Sequence, residues 1–239
     1  MACSKDGGCG TGGGCGSRKG GQRALLARVL GRAYPTGIWG QPDDALRFRR
    51  GIGRRAAETL ADNLAEILKA PSYFVAGGPD DLCDYIYILC VGREPGLIAV
   101  RDGREPLEPG GEEFPISERY LRVALSSFAR LACVQEIEVS LERDLGELCV
   151  REAPRSGVFD GVLLKRFRKI IDLLEASGIK HLDMGVVDVE PVGMQAGAYA
   201  DTYGGMPRIV NYLFFPAPAE TVRVTPIESA RAFAIGDAS

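Results

Sequence analysis

Apolar positions recur along this chain at two different spacings, one helical and one strand-like. In QRALLARVLGRAY, residues 22–34, Leu25, Leu26, Val29 and Leu30 form a stripe at three- and four-residue intervals, which predicts a short amphipathic helix. A second helix is predicted after Pro42, with Asp43 or Asp44 as cap. It carries Leu60, Leu64, Ile67 and Leu68 on its inner face and ends before Pro71. Gly51 and Gly53 lie within it and cost about 1 kcal/mol each relative to alanine, so a break is expected there.

Beyond Pro71 the spacing shortens. DYIYILCVG and GLIAVRDG predict two strands of a hairpin around the turn REPG. Ser117 is placed to cap a helix bearing Leu121, Leu125, Phe128 and Ala132 on one face. VQEIEVSLE and GELCVREA alternate as a second hairpin that turns near Arg143 to Gly146. Asp160 caps a further helix with Leu163, Phe167, Ile170, Ile171 and Leu174 inward, and Gly178 is its stop. HLDMGVVDVE and RIVNYLFFP predict strands, and the segment from Thr221 holds one more. The expected fold is therefore α+β: a mostly antiparallel sheet with three to five helices and one parallel crossover around the helix at 160–177. No internal repeat is present.

The first residues change that picture. Residues 1–21 are dominated by glycine and cysteine and carry no apolar period, so a disordered Gly/Cys-rich tail is expected. The chain then divides into a tail at 1–21, a basic helical segment at 22–70 and an α+β body at 71–239. Charge follows the same division. The net charge of −3 conceals ten Lys or Arg against Asp43 and Asp44 between Gly16 and Arg55, a balance of +8. Lys5 and Asp6 cancel in the first fifteen residues, so the remainder carries −11. A basic arm on an acidic body indicates a partner, either an anionic surface or the body itself. Nearly half of the residues are apolar, enough for a sizeable core. No apolar run approaches the ~18 residues of a membrane span. The first twenty residues lack an apolar stretch of signal-peptide type, so a cytoplasmic location is expected.

Four features carry candidate chemistry. Cys3, Cys9 and Cys15 could ligate a soft metal or an iron–sulfur cluster as thiolates, with glycine spacers supplying reach. Their C-x5-C-x5-C spacing is looser than a C-x2-C knuckle, so a fourth ligand has to come from elsewhere. RFRRGIGRR places Arg47, Arg49, Arg50, Arg54 and Arg55 within nine residues, suited to an anion or a protein partner. Overall acidity and the lack of an aromatic-interleaved basic sheet disfavour nucleic acid. Asp188 and Glu190 stand two apart at the end of an expected strand, hence on one side, at the root of a long loop holding Tyr199 and Tyr203. As an enzyme site, that loop would use a carboxylate as base or metal ligand and the tyrosines to position substrate. His181, the only histidine, lies two residues from Asp183, so the pair can share a face.

Cys83, Cys90, Cys133 and Cys149 sit among apolar residues and are expected to act as small hydrophobes. No P-loop and no nucleophile elbow occurs. The first expectation is an accessory or assembly protein with a thiol-bearing tail and a body that docks on a protein partner or a second copy. The alternatives are an enzyme with its site in the 188–206 loop, and a structural subunit whose basic helices are the interface.

Overall fold

A computed structural model describes residues 15–38, 51–77, 82–92, 96–104, 116–144, 147–155, 161–195, 208–214 and 221–224. In chain order these contain α1 (Cys15–Ala33), α2 (Arg54–Leu68), β1 (Ser72–Val75), β2 (Cys83–Val91), α3 (Leu97–Arg101), β3 (Ile116–Ser126) and β4 (Leu131–Asp144). They continue with β5 (Glu147–Pro154), α4 (Gly161–Ala176), β6 (Lys180–Leu182), α5 (Met184–Val187), α6 (Ile209–Leu213) and β7 (Thr221–Val224). The fold is α+β, as the sequence predicts. Three helices are long and three are single turns. The sheet runs β1-β2-β3-β4-β5-β7 with every pair antiparallel, and β6 joins β4 in parallel after the α4 crossover.

Helices cover both faces of the sheet. On one face α2 and α4 close a core in which Leu60 and Leu64 meet Ile86, Val123, Ile170 and Leu174. On the other, α1, α5 and α6 cover one end, where Leu26 and Leu30 meet Cys133, Leu182 and Phe214. The single turn α3 covers the rest, with Ile98 against Tyr120 and Ile137. The central strands are thus buried on both sides, and three segments depart from the sequence reading. Residues 117–132 form β3 and the start of β4, not a helix. Tyr120, Leu121, Val123, Ala124 and Leu125 are all buried, and a run apolar on both faces satisfies a helical template as readily as a strand. Residues 97–101 form α3 instead of a hairpin strand, because both edges of β2 are already taken by β1 and β3. Residues 209–213 form α6 instead of a strand, with the Arg208 N–H donating to Asn211 Oδ1 at 2.8 Å.

Gly51 and Gly53, where a break is expected, are non-helical, and the first half of the expected helix lies outside the described residues. Gly53 is the residue from which α2 starts. Gly51 lies against the β3–β4 turn, where an added Cβ would stand 2.8 Å from the Ser126 carbonyl oxygen. Helix α1 begins at Cys15, so helical backbone reaches into the Gly/Cys-rich segment.

Candidate functional site

β4 is longer than either strand on its second edge. β3 pairs with it continuously from Ala132 to Leu141. On the opposite edge β6 pairs in parallel from Leu131 to Cys133, and β5 pairs antiparallel from Ile137 to Asp144. Because the two neighbours run in opposite directions, their C-terminal ends, Leu182 and Pro154, approach one another across a gap at Val134, Gln135 and Glu136. Proline suits that end, since it has no N–H to continue the ladder. One bond narrows the gap, from the Arg155 N–H to the Glu136 carbonyl at 3.0 Å. Strand ends that stop short of one another in this way leave a crevice between them. Here the crevice is a cleft of about 560 Å³.

Its walls come from five elements. β4 supplies Val134, Gln135 and Glu136, and the end of β5 supplies Pro154 and Arg155. Phe167 comes from α4, and His181, Asp183, Met184 and Asp188 come from β6 and α5. The sequence places these last residues through a sharp stop. Gly178 adopts φ 71°, a left-handed conformation that closes α4, and the Ile179 N–H returns to the Leu174 carbonyl at 2.8 Å. The chain enters β6 at once, and its pairing with Ala132 turns His181 toward α4. There the imidazole meets Phe167 edge-on, with ring centroids 5.5 Å apart at 87°. Burial pushes the His181 pKa below its ordinary value, with Asp183 and Glu175 opposing. The imidazole is therefore neutral near pH 7, one nitrogen donating and the other accepting.

The charged groups around the cleft are already engaged. Asp183 caps α5, accepting from the Gly185 N–H at 2.7 Å. Asp188, just past α5, is 2.6 Å from Arg208 Nη1. Glu136 is buried and accepts from Arg119 Nε at 2.8 Å, with Arg155 Nε at 3.6 Å. Gln135 points to the other face of the sheet, where its Oε1 accepts from Arg122 Nη2 at 3.0 Å. Arg122 Nη1 in turn donates to Glu152 Oε2 at 2.8 Å, and Glu152 Oε1 receives Arg101 and the Tyr87 hydroxyl. Burial and the Glu152 carboxylate push the Tyr87 phenol up to about 12, so it stays a donor. Below Met184 the Cys133 thiol contacts its sulfur at 3.0 Å, and burial pushes that thiol up to about 12. Cys133 is a packing group there and not a nucleophile.

The structure brings His181, Asp183 and Asp188 to one cleft. It does not place Asp188 and Glu190 on one side of a strand: β6 ends at Leu182, α5 intervenes, and the exposed Glu190 does not line the cleft. Tyr199 and Tyr203 lie outside the described residues, as do Cys3, Cys9, Arg47, Arg49 and Arg50. Cys15 is the first residue of α1. Arg54 and Arg55 open α2 on its exposed side, with Arg54 Nε 3.0 Å from Glu58. Among the described residues no three His, Cys, Asp or Glu side chains converge as a metal site. Cys83, Cys133 and Cys149 are buried and Cys90 is half-buried. Gln135, Glu136, Arg155, Phe167 and Met184 were not candidates from the sequence, because the gap arises from pairing between distant strands. The Ala-Pro end of GELCVREAP is the one local mark of it.

No helix among the described residues is long and apolar enough to cross a membrane. No family model, curated protein or solved structure matches this chain.

Proposed function

We propose that this chain is an accessory protein whose α+β body binds a small molecule in the cleft between the ends of β5 and β6. The observation that carries this reading is the gap in β4. It joins a concave space of about 560 Å³, within the range of small-molecule sites, to apolar walls and a few convergent polar groups. The site reads as a binding site and not as an acid–base pair, because of the two carboxylates expected as base, Asp188 is paired with Arg208 and Glu190 does not line the cleft. Soft-metal or iron–sulfur handling by Cys3, Cys9 and Cys15 remains part of the accessory reading and rests on the sequence. So does docking on a protein partner through the arginine-rich segment.

The cleft is tested by titrating the nitrogen-15-labelled full chain with a set of one- and two-ring fragments. Amide shifts clustered at residues 134–136, 155 and 181–185 are expected. Shifts scattered over the surface, or confined to another face, would overturn the assignment.

A further inference from the structure

The walls of the cleft also specify what kind of molecule it accepts, if the cleft is the binding site proposed above. Its charged side chains already have partners, ionic for Asp188, Glu136 and Arg155 and a backbone N–H for Asp183. Asp188 is held by Arg208 at 2.6 Å, Glu136 by Arg119 at 2.8 Å, and Asp183 by the Gly185 N–H at 2.7 Å. The cationic side chain in the wall, Arg155, reaches Glu136 and Glu138 at 3.6 Å. A charged ligand would have to compete with these partners, which at Asp188 and Arg155 stand on the exposed rim, while Glu136, the ionised side chain at the gap itself, is buried and already paired.

What the cleft offers instead is neutral hydrogen-bonding groups. The Arg155 N–H bond to the Glu136 carbonyl shows that the peptide groups of Glu136 face the gap. By the two-residue alternation of a strand those of Val134 do so too. Pairing with β6 stops at Cys133 and pairing with β5 starts at Ile137, so the Val134 carbonyl and the Glu136 N–H stand outside both ladders. They are an acceptor and a donor on one open edge. Gln135 has given its Oε1 to Arg122, which leaves its amide N–H groups as donors. Beside them stand the apolar surfaces of Phe167, Met184 and Pro154.

We infer that the ligand is an uncharged, planar ring with an amide-type edge that both donates and accepts, the chemistry shared by nucleobases, pterins and nicotinamide. The ring lies against Phe167 and Met184, and its polar edge meets the open β4 edge.

Three nearly isosteric probes separate this class from its charged relatives: nicotinamide, nicotinate and 1-methylnicotinamide, which are neutral, anionic and cationic. Each is titrated into the labelled wild-type full chain at pH 7.5, with the cleft amides followed. Nicotinamide is expected to shift residues 134–136 and 181–185, and each ion is expected to bind there at least tenfold more weakly. If either ion binds the cleft as well as nicotinamide, the inference of a neutral ligand is wrong while the cleft remains a binding site. If none of the three moves the cleft resonances while the one- and two-ring fragments do, the ligand class is wrong and the site stands; if the fragments fail as well, the binding site fails with it.

Discussion

His181 stands edge-on to Phe167, with ring centroids 5.5 Å apart at 87°. The contact ties β6 to α4 across 14 residues of sequence and holds the only imidazole of the chain at the wall of the cleft. Aromatic pairs in this geometry are worth ~0.5–1.5 kcal/mol beyond their burial. The same contact takes His181 out of water, and its consequence is a pH dependence.

The native pKa of His181 is lowered by burial, with Asp183 and Glu175 opposing, so the unfolded chain binds a proton at a higher pH than the folded one. Stability from this group is complete above the unfolded value of about 6.5. It falls as pH drops from there toward the native pKa and is level below it. In urea unfolding between pH 7.5 and 5, the stability difference between wild type and His181→Gln should shrink as pH falls. The carboxylates are common to both proteins and cancel. Parallel pH profiles would show that His181 is not desolvated.

Glu152 is buried between Arg101 and Arg122. Removing one partner of such a network leaves buried charge without its counter-charge, so Glu152→Ala should cost ~3–5 kcal/mol. Glu152→Gln keeps the shape and should cost less. Because Arg122 also holds Gln135, both changes should disturb the amide resonances of Gln135. Denaturation showing a loss below ~1 kcal/mol for the alanine variant would contradict the network.

The two glycines before α2 should respond with opposite signs. At Gly51 a Cβ would lie 2.8 Å from the Ser126 oxygen and 3.0 Å from that of Ser127, both backbone atoms. Gly51→Ala should therefore cost ~1–3 kcal/mol. At Gly53 nothing lies within 4 Å, and no side chain caps the helix. Gly53→Ser supplies a cap and should leave stability unchanged or raise it by ~0.5 kcal/mol. Thermal unfolding of the two variants decides this, and equal effects would contradict the close approach at Gly51.

The cysteines divide by burial. Cys83, Cys133 and Cys149 should resist iodoacetamide in the native chain and react after unfolding, as read by peptide mapping. Rapid native labelling of Cys133 would contradict its enclosure. If the N-terminal thiols handle a soft metal, anaerobically purified full chain should carry it in stoichiometric amount. The triple variant Cys3→Ser, Cys9→Ser, Cys15→Ser should lose it. A metal-free wild-type preparation would count against that part of the proposal.

The helices that bury one face were legible in the sequence. Leu60, Leu64 and Leu68 and Leu163, Ile170 and Leu174 are the buried faces of α2 and α4, with Phe167 and Ile171 half-buried beside them and Ile67 exposed, and Gly178 ends α4. The second hairpin and the parallel crossover were legible too. The 117–132 segment was not, because a strand buried on both faces has no alternation to display. His181 and Asp183 were legible as a pair sharing one side, and the structure places both at the cleft. Their setting was not legible. It depends on where β5 and β6 stop along β4, a relation among residues 133, 137, 154 and 182 that no local pattern encodes.

The proposed role of the chain turns on the β4 gap as a small-molecule site. It is tested most directly by incubating the full chain with a small-molecule extract, removing unbound material by gel filtration, and identifying what remains by mass spectrometry. Wild type is compared with Met184→Trp, which fills the cleft, after circular dichroism has shown that the variant is folded. An uncharged heteroaromatic molecule is expected to be retained by wild type and lost from the variant. Retention of the same molecules by both proteins, or of none by wild type, would contradict it.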